Sequence, residues 1–418
     1  MNEKINEFAN YCLNCKIKPC SIKGCPMHTL IPEFITEVKN DNYKKAYELL
    51  IENNICSYIC SLVCPQEEQC EGSCLRGIKS NPTHIGLLEK AVNEWAIEND
   101  YKYELSKKES NGLKVAVVGS GPAGIECATT LLREGFSVDI YEKDSIPGGI
   151  LVYGIPDFRL SKDKVEVVIN KVKELGGNFI LNKELGKDFD LKDLSSKYDA
   201  VFLGIGAGKS TVYSLSDNEN IKNVFKSDIF LKAYSEKKFI KDLGTVVVIG
   251  GGNVAMDAAR VAVKMGAKKV KILYRRDRCH MPARELELEE ALEDGVEFKE
   301  LTRVASANLD EEGNIISVNC VPTEIVDEKA KDVEGAKEFI EEANTVVFAI
   351  GLKPEKSLLE SQNVPLNEWG YVEIDEDGKT SLDNVYAGGD NTESKATVCR
   401  ALAAGKKAAC GIIKNLLK

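Results

Sequence analysis

Residues 113–135, LKVAVVGSGPAGIECATTLLREG, carry the pattern on which the fold turns. The apolar run Val115–Val118 leads directly into Gly119-x-Gly121-x-x-Gly124, and an amphipathic segment follows. Strand, glycine turn and helix in that order make the phosphate-cradling unit of dinucleotide-binding proteins. Gly119 permits the tight turn, Gly121 lets pyrophosphate approach the backbone, and Gly124 lets helix pack on strand. The helix N-terminus then faces phosphate charge, so Ser120, Pro122 and Ala123 join the expected contacts. The next strand, SVDIYEK, ends in Glu142 beside Lys143, where a carboxylate can accept from both ribose hydroxyls.

The unit recurs at residues 244–266, GTVVVIGGGNVAMDAARVAVKMG. Here Gly250, Gly252 and Ala255 follow the strand Thr245–Ile249, with Asn253 and Val254 opening the helix. The following strand, KVKILYRRD, ends in Arg275 and Arg276 instead of an acid. Arginines accommodate a 2′-phosphate, so this site is expected to take NADPH. Arg278 and Arg284 are possible helpers or plain surface charges. Two such units predict an α/β fold with two Rossmann-like nucleotide-binding domains.

The C-terminal stretch SLDNVYAGGDNTESKATVCRALAAGKKAA favours FAD at the first unit. A strand running into Gly388-Gly389-Asp390 can set a carboxylate on the ribityl chain. A helix starting near Ala396 and Thr397 can point its positive end at the flavin pyrimidine edge. TVVFAIGLKP, containing Gly351, reads with it as a return to the first domain, which makes the second an insertion. Hydride passing from NADPH to FAD is the economical chemistry for such a pair, and no side-chain nucleophile is needed. His28, His84 and His280 form no triad or zinc pattern and read as structural or surface residues.

The 418 residues are 43% hydrophobic and 29% charged, a globular composition of two or three domains. The net charge of −11 argues against nucleic acid or an anionic membrane as partner. No apolar run is long enough for a membrane span, and MNEKINEFANYC lacks the features of a signal peptide, so a cytoplasmic location is expected. Nine of the 14 cysteines fall in the first 74 residues. Thiols stay reduced in the cytoplasm, so this clustering points to metal before disulfide. The spacings are C-x2-C-x4-C-x4-C-P from Cys12 and C-x3-C-x3-C-x5-C-x3-C from Cys56, with Pro65 after Cys64. Thiolates beside prolines suit [4Fe–4S] clusters, with zinc as the alternative. Amphipathic helices over 32–53 and 83–99 separate the cysteine loops, and 100–112 reads as a polar linker.

Taken together, CLNCKIKPCSIKGCP with LIPEFI, CSLVCPQEEQCEGSC, VVGSGPAG, GGILVYGIPDFRLSK, VVIGGGNVAMDAAR, YRRD with MPAR, and VYAGGD resemble the glutamate synthase small-subunit family. That family takes in the large subunit of the bifurcating NADH-dependent ferredoxin:NADP oxidoreductase and the electron-input part of dihydropyrimidine dehydrogenase. The resemblance implies two [4Fe–4S] clusters with interleaved ligands. Cys12, Cys15, Cys20 and Cys74 would hold one; Cys25, Cys64, Cys70 and Glu89 would hold the other. Cys56 and Cys60 are left over, though either could replace Glu89, which could also be an ordinary helix carboxylate. Cys127, Cys279, Cys320, Cys399 and Cys410 default to core or surface thiols. Gly149, Tyr153, Gly154 and Arg159 are placed near the flavin by the resemblance alone.

The expected organisation is a helical iron–sulfur domain over 1–108, an FAD-binding domain over 109–238 and 343–418, and an inserted NADPH-binding domain over 239–342. The expected function is an NADPH-dependent oxidoreductase subunit that passes single electrons through the clusters to another oxidoreductase subunit or a ferredoxin-type protein, in either direction. The glutamate-forming subunit leads as partner; a dihydropyrimidine dehydrogenase subunit or a bifurcating flavoprotein are alternatives. No C-x-x-C lies in the NADPH region, which argues against thioredoxin-reductase chemistry. A redox-responsive scaffold without turnover is the reading from another class.

Overall fold

The computed structural model describes residues 3–217 and 221–417, which divide into two compact units. The first comprises residues 1–152, 158–207 and 354–418; the second comprises 153–157 and 208–353.

The N-terminal part of the first unit is helical. Ile31–Lys39, Tyr43–Asn53 and Ile85–Glu98 bury Phe34, Ile35, Val38, Leu50, Leu88 and Val92 in one core. Pro32 opens the first of these helices at a position that needs no N–H partner, and Asn42 caps the second by accepting from Lys45 N at 3.4 Å. Each such buried side chain contributes roughly 1.5–3 kcal/mol. At the C-terminal end of Tyr43–Asn53, Arg133 Nη1 donates to Glu52 O and Lys406 Nζ to Asn53 O, both at 2.9 Å. Cations at a helix C-terminus complement its negative end, and here they tie the helices to the sheet that follows.

That sheet is parallel, in the order Val385–Ala387, Ala200–Leu203, Lys114–Val118, Ser137–Tyr141, Asn178–Ile180. The helices Pro122–Arg133 and Val398–Leu416 cross closely at Gly405, where a Cβ would lie 2.0 Å from Ala123 O.

The second unit has its own parallel sheet, in the order Val224–Lys226, Thr345–Phe348, Thr245–Ile249, Lys269–Leu273, Glu297–Lys299. An antiparallel sheet of Thr302–Leu309, Ile315–Val326, Lys329–Asp332 and Phe339–Glu342 completes it. Lys209–Ser210 and Leu352–Lys353 pair antiparallel, so the chain enters and leaves this unit side by side.

The insertion is therefore longer than the 239–342 expected. Thr345–Phe348 does not return to the first domain but lies between Val224–Lys226 and Thr245–Ile249. All four of its residues are buried, and a strand covered on both faces has no alternation to mark the sheet it joins. Asn344 Oδ1 accepts from Thr245 N at 2.8 Å and Thr345 Oγ1 donates to Leu243 O at 2.8 Å, which fixes the strand where it is. Residues 208–238, expected with the first domain, also belong to the second unit.

Candidate functional site

Within the first fingerprint the three glycines do different things. Gly119 has φ +101° and a Cβ there would lie 2.4 Å from Gly204 O. A Cβ on Gly124 would lie 1.9 Å from Gly119 O. Both are packing constraints. Gly121, by contrast, has φ −71° and nothing within 4 Å of a built Cβ, the open approach that a pyrophosphate requires. Gly149, at φ +54°, comes over Gly121, with its built Cβ 2.9 Å from Gly121 Cα. Gly149 and Arg159 share this unit, whereas Tyr153 and Gly154 fall in the second. There Lys232 Nζ lies 4.9 Å from the Tyr153 ring centroid.

Glu142 is buried and its Oε2 accepts from Ser120 N at 3.0 Å and Ser120 Oγ at 2.5 Å. Its Oε1 accepts from Asp144 N at 2.9 Å. The carboxylate thus braces the glycine turn. Lys143 is exposed. Gly389 packs on the same turn, since a Cβ there would meet Ala123 Cβ at 2.9 Å. The next residue, Asp390, has its carboxyl pushed up to about 6 by burial, with the Glu393 charge adding. Asn391, which no sequence signal singled out, is fully buried; its Nδ2 donates to Leu203 O at 2.9 Å. Its Oδ1, 4.0 Å from where a Cβ on Gly389 would lie, has no hydrogen-bond partner among the described residues. A buried acceptor without a donor beside the glycine turn fits a polar cofactor. Thr397 caps the C-terminal helix, accepting from Arg400 N at 3.2 Å.

In the second fingerprint, Gly250 has φ +150° and its built Cβ would lie 2.3 Å from Ala349 O. The Tyr274 ring fills the space over Gly251, while the nearest atom to a Cβ on Gly252 is Pro282 Cγ at 3.8 Å. Asn253 Oδ1 accepts from Arg284 N at 2.9 Å, and Ala283 N donates to Gly251 O at 3.1 Å, so MPAR folds onto the glycine turn. Val254 follows on the helix and Ala255 is buried against Gly250. Arg275 is exposed and Arg276 half-buried at the strand end. Arg278 instead pairs with Glu285. His280 is bracketed by Asp277 at 2.6 Å and Glu328 at 3.0 Å, which raise its pKa, a structural arrangement. Gly351 has φ +114° in open space, and its carbonyl accepts from Thr211 N at 2.8 Å.

Cys12, Cys15, Cys20 and Cys74 line one cavity, walled by Pro19, Ile31, Ile35 and Ile85. Asn14 and Lys18 hold positive φ, 50° and 41°, as the loop wraps it. Asn14 N donates to Cys12 Sγ at 3.5 Å, although burial outweighs this and raises the Cys12 thiol. Four thiols around one apolar space fit a cluster.

The second ligand set is more crowded. The two cysteine loops touch at Gly24, where a Cβ would lie 2.6 Å from Gln69 O and 2.8 Å from Cys70 Cα. Glu89 is half-buried; desolvation pushes its carboxyl up to about 8, opposed by Ser57 Oγ, which donates at 2.8 Å, and helped by Cys25. Burial raises the Cys70 thiol, with the charges of Glu89 and Cys25 adding. Cys64, however, sits closest to Cys60 and Cys399, the three Sγ atoms all within 4.8 Å of one another. Cys399 is therefore not the isolated thiol its spacing suggests. Cys127 and Cys320 are buried, and Cys279 and Cys410 exposed, as scattered thiols would be. Gln69 Nε2 donates to Thr397 Oγ1 at 3.1 Å, joining the cysteine loop to the cap of the C-terminal helix.

The model of the pyridine nucleotide-disulphide oxidoreductase family matches residues 113–407. One described as dihydropyrimidine dehydrogenase domain II, 4Fe-4S cluster, matches residues 1–101. The chain is 34% identical over 429 residues to the glutamate synthase [NADPH] small chain of Escherichia coli, covering 98% of this chain and 90% of that one. It is 32% identical to the small chain of Azospirillum brasilense, covering 98% and 89%. It is also 34% identical to the putative oxidoreductase AegA of E. coli, covering 97% of this chain but only 64% of that protein. Among solved structures, Mycobacterium tuberculosis FprA in complex with NADPH superposes with a TM-score of 0.61 at 18% identity, covering 73% of this chain and 84% of FprA. Thioredoxin reductase of T. acidophilum gives 0.53 at 21%, covering 73% and 99%. At these identities the structural likeness shows the fold alone.

Proposed function

Because the chain belongs to the pyridine nucleotide-disulphide oxidoreductase family, and within it to the glutamate synthase small chains with their N-terminal 4Fe–4S domain, we propose that it carries electrons between NADPH and a partner oxidoreductase subunit. The glutamate-forming subunit of a glutamate synthase is the partner that the relatives' names favour. Bound FAD supplies the conversion of a two-electron hydride into single electrons that iron–sulfur clusters can accept.

The chain's own residues prepare that transfer. Gly121 leaves room for the FAD pyrophosphate, Glu142 stiffens the turn, and half-buried Asp390 and buried Asn391 offer polar atoms to the rest of the cofactor. Gly252 and the Asn253-anchored MPAR loop form the second cradle, with Arg275 and Arg276 beside it for a 2′-phosphate. Cys12, Cys15, Cys20 and Cys74 are the ligands of the first cluster in this reading; Cys25, Cys64 and Cys70 belong to the second. Such thiolates need the reducing conditions of the cytoplasm, where we place the protein.

The observation that carries the proposal is the single compact unit holding the first glycine fingerprint and the cysteine loops, joined by Gln69 and Thr397. Anaerobic titration with NADPH and with NADH, followed in the visible region, tests it. Bleaching of one flavin at lower NADPH than NADH and about eight irons per chain are expected. Zinc in place of iron, or a flavin that NADPH leaves oxidised, would sink it. Copurification with the glutamate-forming subunit tests the partner.

A further inference from the structure

Residues 277–284 carry the chain from the strand end at Arg275 and Arg276 to the second glycine turn, and His280 stands near their middle. Its main chain is committed to the nucleotide cradle. Tyr274 Oη donates to His280 O at 2.8 Å while the Tyr274 ring covers Gly251. Ala283 N and Arg284 N then donate to Gly251 O and Asn253 Oδ1. The His280 side chain makes a separate connection. Nδ1 lies 2.6 Å from Asp277 Oδ1, and Nε2 lies 3.0 Å from Glu328 Oε2, in the turn between Ile315–Val326 and Lys329–Asp332. One imidazole thus ties the cradle loop to the antiparallel sheet of the same unit.

We propose that His280 is a positioning residue for the nucleotide: as imidazolium it latches the MPAR cradle to the hairpin turn at Glu328, and loss of its proton releases the latch and weakens NADPH binding. This rests on the reading of the second fingerprint as the NADPH site. A carboxylate only accepts, so contacts from both ring nitrogens to two carboxylates need both N–H groups, which only the charged ring has. The neutral ring keeps one proton. Asp277 retains it, because its Oδ1 also accepts from His280 N at 3.0 Å, which holds acid and ring together. Nε2 then turns a lone pair on the Glu328 carboxylate, and that contact opens. The proton goes to solvent, to which the Glu328 side chain is 87% and the imidazole 25% exposed. Both carboxylates raise the imidazole above its ordinary pKa, so the latch holds below about 6.5 and is lost as pH rises through the raised value. The other charges of these elements are engaged elsewhere: Arg278 pairs with Glu285, and Asp332 on the hairpin pairs with Arg303. The Tyr274 hydroxyl is spent on His280 O, and Cys279 is exposed.

The test uses the full-length chain with its cofactors, as Glu328→Gly, Glu328→Gln and His280→Gln. The dissociation constant of NADP+ is measured by calorimetry at about pH 6.5 and about pH 9, in low salt so that exposed charges are not screened. Residue 328 has φ +61° in an exposed turn, so glycine suits its backbone and the fold is kept. The nucleotide phosphate titrates alike with every chain, so each variant is read as a ratio to the parent at the same pH. Glu328→Gly should bind about three- to fivefold more weakly than the parent at the lower pH and equally well at the higher. An amide at 328 can accept from the charged ring or donate to the neutral one, so Glu328→Gln should match the parent at the lower pH and bind more tightly than it at the higher. His280→Gln should lose the parent's pH dependence, and the rate of flavin bleaching at saturating NADPH should stay the same in both Glu328 variants. A Glu328→Gly ratio that is equal at the two pH values, or a His280→Gln chain with the parent's pH dependence, overturns the inference and leaves the proposed function standing. Should His280→Gln fail to fold, the two Glu328 variants decide. A parent chain that binds no NADP+ at either pH overturns the NADPH reading of the second fingerprint and this inference together.

Discussion

At the scale of single residues, Glu126 shows how far burial governs this chain. It lies on the fingerprint helix, wholly buried, and its Oε2 has no hydrogen-bond partner among the described residues. Burial raises its carboxyl to about 7, against the opposing pull of Lys406, Thr130 and Arg133. The folded state therefore holds this proton at a pH where the unfolded chain has released it. Its contribution is intact below about 4.5 and is lost as pH rises to about 7, a change on the order of 3 kcal/mol. Glu126→Gln should flatten that part of the stability profile, read as the midpoint of denaturant unfolding at pH 5 and pH 8; a glutamine variant with the same pH dependence as the parent would count against it. Arg275 and Arg276 make the second residue-scale prediction. Each charge-assisted contact to a 2′-phosphate is worth roughly 1.5–3 kcal/mol, or about 10–100-fold. Arg275→Ala and Arg276→Ala should raise KM for NADPH by that order and hardly alter KM for NADH. Equal losses with both nucleotides would place the arginines elsewhere. Arg275 and Arg276 are candidates that sequence can raise because the acid-or-arginine choice at a strand end is local; Asn391 is not, because only the fold leaves its Oδ1 without a partner among the described residues.

Elements are held together here by glycines whose roles divide between packing and binding. The helix Val398–Leu416 can approach Pro122–Arg133 only because Gly405 has no Cβ; a methyl would lie 2.0 Å from the backbone oxygen of Ala123. Backbone cannot give way as a side chain does, so Gly405→Ala should cost about 3 kcal/mol and release flavin, seen as a lower melting temperature and a colourless protein. Gly121→Ala is the contrasting case. Its backbone is in an ordinary region and its built Cβ has open space, so the variant should melt like the parent when stripped of flavin yet bind FAD far more weakly. Matching melting curves with unchanged flavin affinity would remove Gly121 from the pyrophosphate site. The spacing Gly-x-Gly-x-x-Gly announced all three fingerprint positions, but the division of labour among them appears only when neighbours such as Gly204 and Gly119 are in place.

For the whole molecule, the N-terminal part depends on segments far apart in sequence meeting around sulfur. Cys12, Cys15 and Cys20 share a cavity with Cys74, and the loop at Gly24 lies on Gln69 and Cys70. Where ligands come from distant segments, metal binding is folding energy. Chelation of iron under reducing conditions should therefore raise hydrogen exchange over residues 12–30 and 64–84, while Thr245–Ile249 and Lys269–Leu273, central in a separate sheet, stay protected. An equal rise in both regions would show that the metal does not act locally.

Strand, glycine turn and helix repeat within about 25 residues, and cysteine spacing is shorter still, so the two nucleotide-binding units and the iron–sulfur character followed from sequence alone. Short-range pattern encodes short-range geometry. From sequence Thr345–Phe348 reads as part of the first sheet and in the fold it joins the second, because a strand buried on both faces is uniformly apolar in either one and its neighbours decide. Cys399 met Cys60 and Cys64 for a related reason. No local spacing can record a contact between the first turn of the last helix and a loop near the N-terminus; only the packing of that helix against the fingerprint helix brings the sulfurs together.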